Sequence, residues 1–444
     1  MKYKIEQGQE EINSNAGICL AGNLLNKLRN LKAIDSMNFS KVKKGHISHS
    51  EILKSMIGLL SLGKTDYANI ELYRDDEIFR DALDLNAVPS EERLRQRIEN
   101  MACGDVEAAM LSSNIELLQK VEDFGSVKTK YCEYIPFDAD VTPFDNSGSK
   151  KAGVSWTYKN HDGYAPMMGY LGDHGYMLNC ELRPGSQHSQ KGMESFLQSS
   201  IEVIDKLGLI EKVLVRLDAA HDDAENIKLL QSRKVYFLIK RNLRNESLEQ
   251  WLAMARRVGE CETPREGKNI FTGSVSHIIP AGRNDIRPVE VIFEVIERTV
   301  GADGQPLLMP ELEVNTWWTN LPEEPVTVVH LYHQHGTSEQ FHSECKTDMN
   351  VERLPSGKFE ANSLILKLGM IAFNCLRTIG QTALLMKEEL PIKLNVSRRR
   401  LRSVLQDLMY IACKRVSHSG NMILKFGKHC PWFRVFQQLY LRFC

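Results

Sequence analysis

Apolar residues recur at helical spacing along the first part of this chain and at strand spacing in the second. Residues 48–62 (SHSEILKSMIGLLSL) set apolar side chains three and four positions apart. The pattern predicts a helix with Ser48 or Ser50 as N-cap and Gly63 as the stop. Residues 66–86 predict further short helical stretches. Pro89-Ser90 opens EERLRQRIENM, with acids in the first turn and basic residues later, the order a helix dipole favours. Residues 1–125 therefore predict an all-helical N-terminal unit. Arg93, Arg95 and Arg97 on its last helix suit a DNA reader and a plain helical bundle equally.

From residue 126 the period changes. YCEYIPFDADVT, APMMGYLGD and YMLNCELR predict three strands, with turn residues Asp173–Gly175 between the last two. A helix over 189–207, a strand VLVRLD (213–218), a helix over 222–232 and a strand KVYFLIK (234–240) follow. Three antiparallel strands and then helix–strand–helix–strand is the ribonuclease-H-like order, an α/β mixed sheet with helices on its faces. This core spans 126–241 and resumes over 329–390. Between them, 242–328 reads as a β-rich insertion, including PVTVVHLY (325–332) as a strand. A helix over 337–350 and a long apolar helix over 360–388 come next. Pro391 opens a basic helical C-terminal region, 391–444.

Composition narrows the class. Hydrophobic residues at 42% and charged residues at 25% are ordinary for a globular chain, and the net charge of −1 gives no global nucleic-acid signal. The charge is uneven, however. Residues 391–444 hold eleven Lys and Arg against Asp407 alone, which suits polyanion contact or a solvated face. Ten cysteines without a Cys-x-x-Cys pair point to a reducing cytosol. The N-terminus lacks an apolar run, and LILKLGMIAFNCL (364–376) is too short to span a bilayer, so no membrane role is expected.

Candidate chemistry gathers at three places. Asp138 and Asp140 sit at i and i+2 in YIPFDADVT, on one face of a strand. Asp218 ends the buried strand VLVRLD, where ligands of α/β sheets usually bind. If these two strands are neighbours, Asp140 and Asp218 share a crevice. In YHQHGTSEQFHSECK, residues Tyr332, His335, Glu339 and Lys346 fall at ~0°, ~−60°, ~−20° and ~−40° on a helical wheel. A core stripe would be apolar, whereas this one is polar and mixed in sign. Three carboxylates, Asp140, Asp218 and Glu339, suit Mg²⁺ or Mn²⁺. Two such ions suit phosphodiester chemistry.

The stripe resembles the Tyr-Arg-Glu-Lys signature of insertion-sequence transposases of the IS4 type, with His335 at the Arg position. DADVTPFDN, KNHDGYAPMMGYLGDHGYMLNCELRPGSQHSQKG and VLVRLDAAH resemble the IS1380 family within that group, over roughly residues 45–385. The resemblance implies a DDE transposase carrying out cut-and-paste excision and strand transfer. It implies Asp140, Asp218 and Glu339 as metal ligands, with Asp140 preferred to Asp138 because the family aspartate lies two before Thr. Tyr332, His335 and Lys346 would contact the phosphates of the terminal inverted repeats. A homodimer would bridge two DNA ends before meeting target DNA, in a bacterial, nucleoid-associated setting. The basic flank, with Arg398, Arg399 and Arg400, would add affinity for DNA.

Three further readings stand beside this one. His335 in place of Arg gives fewer donors and titrates near neutrality, so a decayed or domesticated copy that only binds DNA is an alternative. So is a ribonuclease-H-like nuclease. His330, His333, His335 and His342 invite a zinc reading, which the strand-to-helix junction would scatter. Of Trp317 and Trp318, adjacent on a strand, one belongs to the core, and Trp318 is the candidate to stack on a flipped base.

Overall fold

The computed structural model describes residues 3–8, 10–39, 46–280, 283–301, 303–393 and 395–444. Its centre is one mixed sheet. The strands are β1 (Glu133–Val141), β2 (Met167–Leu171), β3 (Tyr176–Glu181), β4 (Val213–Leu217), β5 (Tyr236–Lys240), β6 (Glu260–Arg265), β7 (Lys268–Ile278), β8 (Val289–Val300) and β9 (Pro306–Thr319). Their spatial order is β6-β7-β8-β9-β5-β4-β1-β2-β3, with Val127–Lys128 paired beside the start of β1. β1, β2 and β3 run antiparallel, while β4 and β5 run parallel to β1. All residues of β2 and β4 are buried. That fits their near-continuous apolar sequence, since strands covered on both faces lose the polar alternation. Helices Met193–Lys206 and Ala224–Ser232 make the connections into β4 and β5.

The stretch read as an inserted β region extends this same sheet, because β9 pairs antiparallel with β5 from Leu238–Thr319 to Lys240–Trp317. It also contains a helix, Leu248–Val258. Residues 325–332, read as a strand, form the helix Pro325–His333 instead. Pro325 opens that helix, where its fixed φ fits and its missing N–H costs nothing. Two of its β-branched residues, Val328 and Val329, are buried against Trp317 and Leu214 of the sheet. Tertiary burial thus overrides their strand propensity.

Helices over the first 125 residues include His49–Leu60, capped by Ser48 in a reciprocal capping box with Glu51 and followed by Gly63 at φ 65°. Glu91–Met101 is capped by Ser90, and a further helix, Gly104–Leu118, follows it. These helices share one core with distant parts of the chain. Leu20, Leu53, Met56, Leu94 and Met110 pack in the same cluster as Phe373, Ile379, Met409 and Phe436. Ile12–Asn13 is a short strand paired with Cys413–His418. The C-terminal region is not helical throughout: Cys413–His418 and Asn421–Phe426 form a hairpin turning at Ser419-Gly420, where both φ angles are positive. Ser-Gly is a turn signal, and the positive φ is what a tight hairpin requires.

The axis of this shared core is the helix Phe359–Leu384. It is 26 residues long, close to the 360–388 expected, and by length and composition alone it would suffice to cross a membrane, although the apolar run 364–376 within it is too short. Its most apolar window is 83% buried inside the protein. Two of its buried polar groups find partners: Asn374 meets the backbone of Met177, and Arg377 meets Glu344 at 2.7 Å. All ten cysteines are free.

Candidate active site

Neighbouring parallel strands bring the acids together. β1 and β4 pair in register from Ile135–Val213 to Asp138–Arg216. Two residues further on, Asp140 and Asp218 lie side by side at the C-terminal ends of both strands, where the crevice of such a sheet opens. Asp218 then accepts a hydrogen bond from the Ala220 N–H at 3.1 Å and turns the chain into the short helix Ala219–His221. This turn lays His221 against the acids, with Nε2 3.7 Å from Oδ1 of Asp218. Ligand atoms of Asp140, Asp218 and His221 all lie within 4.8 Å of one another.

The electrostatics of the pair are unfavourable without a cation. Burial, and then the Asp218 charge, push the Asp140 carboxyl up to about 7. Glu339 adds to this, while the Val141 N–H and His335 offset part of it. Carboxylates held this close repel unless positive charge is supplied. Hard oxygen donors with a shortage of positive charge fit a divalent ion.

Asp138 has the opposite environment. It is buried, and burial alone would raise its carboxyl, but Arg216 and His335 hold it at about 2. Arg216 donates to it from Nε at 2.7 Å and Nη2 at 2.6 Å, and His335 meets it through Nδ1 at 2.8 Å. Arg216 also donates to the Leu331 carbonyl at 2.9 Å, which fixes the helix Pro325–His333 against the sheet. Asp138 is thus a closed structural anchor and Asp140 the accessible acid. Arg216 stood in plain view within VLVRLD: an arginine in an otherwise apolar strand needs a buried partner.

A family model described as the transposase DDE domain, group 1, matches residues 2–443. The chain belongs to the DDE transposase family. No curated protein matches it. Among solved structures it is similar to a piggyBac transposase synaptic complex with hairpin DNA, at 9% identity and a TM-score of 0.41, covering 90% of this chain and 83% of that one. DDE transposases act on DNA and use divalent metals, and Asp140, Asp218 and His221 form a candidate metal-binding cluster in this transposase.

The stripe of 332–346 is not one uniform helix in this transposase. Tyr332 lies in the last turn of Pro325–His333, Gln334–Thr337 is 3₁₀, Ser338–Ser343 is α-helical and Glu344–Asp348 is a π turn. A 3₁₀ segment advances ~20° more per residue than an α-helix, so the straight-helix wheel is distorted across His335. Tyr332 packs on His335, with ring centroids 5.7 Å apart, and burial, then the charges of Asp218, Asp140 and Asp138, raise its phenol well above the ordinary value. Glu339 is exposed, on a helix held to β2 by Phe341 and His342 against Tyr170, with ring centroids 5.3 and 5.2 Å apart. It lies outside the tight Asp140–Asp218–His221 group but near enough for its charge to act on Asp140. Lys346 reaches the Pro143 carbonyl at 2.7 Å and Glu352 at 3.1 Å, just beyond the end of β1. His335 is buried. Burial would lower its pKa, but the charge and hydrogen bond of Asp138 outweigh this and raise it.

Other residues read as DNA contacts are engaged within the protein. Trp318 is buried, donates from its indole N–H to Asp222 at 2.8 Å and lies beneath Arg241; Trp317 is buried as well. Two adjacent strand residues point to opposite faces, but here both faces are covered. Arg398 pairs with Glu344, Arg399 is buried against Asp407 and over the Trp432 ring, and Arg400 pairs with Asp348 at 2.8 Å. Among the described residues the histidines at 330, 333, 335 and 342 form no metal cluster. The sequence reading missed two exposed aromatics, Trp156 and Tyr158, with Lys159 over the Tyr158 ring. The Tyr158 hydroxyl donates to the Val141 carbonyl at 3.0 Å, and burial with the charges of Asp140 and Asp218 pushes it up to about 12. The signal was WTYK, aromatics beside a lysine in a turn-rich segment.

Proposed function

We propose that this chain is a cut-and-paste DNA transposase of the IS1380 type, built on a ribonuclease-H-like core. It cleaves at terminal inverted repeats and transfers the freed ends to target DNA as a homodimer, in a bacterial nucleoid. The observation that carries the reading is the pair Asp140 and Asp218 on adjacent parallel strands, with Asp140 pushed up to about 7 by burial and by the Asp218 charge. The strand order β3-β2-β1-β4-β5, antiparallel and then parallel, supports the ribonuclease-H-like core.

Asp140 and Asp218, with Glu339 completing the set, would hold Mg²⁺ or Mn²⁺, two ions per site. When bound, such ions supply Lewis-acid activation of the attacking oxygen and charge relief at the phosphate. The protein's own residues position the DNA. His335, anchored through Nδ1 on Asp138, presents an imidazolium to a phosphate. Tyr332 adds a hydroxyl that burial keeps protonated, and Lys346 adds an ammonium at the end of β1. Tyr158, tied to the Val141 carbonyl, and Trp156 two residues before it give unpaired bases a stacking face, the role first read at Trp318.

The test is cleavage of end DNA in Mg²⁺ and Mn²⁺. Asp140→Ala, Asp218→Ala and Glu339→Ala should each abolish cutting and leave end binding largely intact, because affinity comes mainly from cationic contacts to phosphates. Near wild-type cutting by Asp218→Ala would overturn the proposal. A second reading, a copy that binds ends without chemistry, rests on His335 at the Arg position; wild-type protein that binds ends but never nicks them would favour it.

A further inference from the structure

His221 is fully buried, yet neither ring nitrogen has a hydrogen-bond partner among the described residues. Leaving a buried polar group unmatched is unfavourable, because it gives up its hydrogen bonds to water and gains none in return. The backbone around it is well satisfied: Asn226 donates to the His221 carbonyl at 3.0 Å, and the His221 N–H donates to the Asp218 carbonyl at 3.1 Å. The loop is therefore held in place while the ring is left without a partner, with Nε2 aimed at the Asp218 carboxylate. His342 is also buried and unpartnered among the described residues, but it packs on Tyr170 and belongs to no group of three potential ligands there. Among the described residues, His221 alone combines an orphaned ring with two acids within 4.8 Å.

We infer that His221 is a metal ligand, so that one ion of the active site is held by Asp140, Asp218 and an imidazole rather than by carboxylates alone. The inference rests on the transposase reading of Asp140 and Asp218 and adds a nitrogen to that donor set. A borderline nitrogen donor among hard oxygens favours first-row transition dications over Mg²⁺, which prefers oxygen and resists dehydration. The neutral ring offers a lone pair from Nε2, which leaves Nδ1 as the protonated nitrogen. The site is thereby tuned toward Mn²⁺ or its neighbours, and the charge it contributes is one less than that of an all-acid set.

The test uses metal-stripped full-length protein and MnCl₂. Electron spin echo modulation of the bound Mn²⁺ should show a directly coordinated ¹⁴N. The signal should vanish in His221→Gln and persist in His335→Ala. Titration calorimetry should show Mn²⁺ affinity about tenfold weaker in His221→Gln with Mg²⁺ affinity changed far less. Bound Mn²⁺ without nitrogen coupling in the wild type would overturn the inference, and that result needs no variant to fold. So would coupling that survives in His221→Gln. Mn²⁺ that binds equally well to an Asp140→Ala, Asp218→Ala double variant would instead refute the acid assignment beneath it.

Discussion

Asp138 and Asp140 are two residues apart on one strand, and isosteric neutralisation should move stability in opposite directions. Asp138→Asn removes the charge facing Arg216 and His335, both of which stay buried. The depression of its carboxyl from 3.8 to about 2 corresponds to about 2.5 kcal/mol. Breaking a buried pair typically costs ~3–5 kcal/mol, because the remaining charge is stranded. The loss should therefore be about 3 kcal/mol or more at neutral pH. In wild type, this contribution is present above the unfolded carboxyl pKa and disappears as pH falls through about 2. Asp140 behaves in reverse. Its folded pKa of about 7 exceeds its unfolded value, so the folded state binds the extra proton and apo stability falls as pH rises from about 4 to about 7. The full shift corresponds to about 4 kcal/mol, and partial solvent screening reduces this to roughly 1–3 kcal/mol. Asp140→Asn in EDTA at pH 8 should thus be more stable than wild type by that amount, and should lose Mn²⁺ binding. Urea unfolding with unchanged m-values measures both. An Asp140→Asn protein less stable than wild type, or an Asp138→Asn protein unchanged, would refute the division of roles.

Three further outcomes are expected. His335→Ala should weaken end cleavage at every pH. In wild type the stability that His335 adds is present below ~6.5 and lost as pH rises through its raised folded value, visible in urea midpoints across pH 6–9. Arg399→Ala should cost about 2–4 kcal/mol in urea unfolding, since Asp407 and Trp432 lose their partner, and should leave the salt slope of DNA binding unchanged; reversal of exposed Arg93 and Arg95 should flatten that slope. Trp156→Ala should reduce affinity for ends with unpaired bases by about 1–3 kcal/mol while Trp318→Phe lowers stability instead, as fluorescence anisotropy and thermal unfolding would report.

Local pattern determined much of this molecule. The caps Ser48 and Ser90, the strands carrying Asp140 and Asp218 and the long apolar helix were legible because capping and periodicity act over a few residues. The acids were legible as charges interrupting or ending buried strands. What depended on partners far along the chain was not. Residues 325–332 became helical because Pro325 and the sheet beneath decided it, and the arginines at 398–400 read as a free basic face because Glu344, Asp348 and Asp407 are not adjacent to them in sequence. The register of β1 on β4 decided that Asp138 closes on Arg216 while Asp140 meets Asp218. The turn after Asp218 decided that His221 faces them. A charge pattern gives the type of each group, but its partner, and hence whether it anchors the fold or waits for a ligand, depends on burial and distance that only tertiary packing sets.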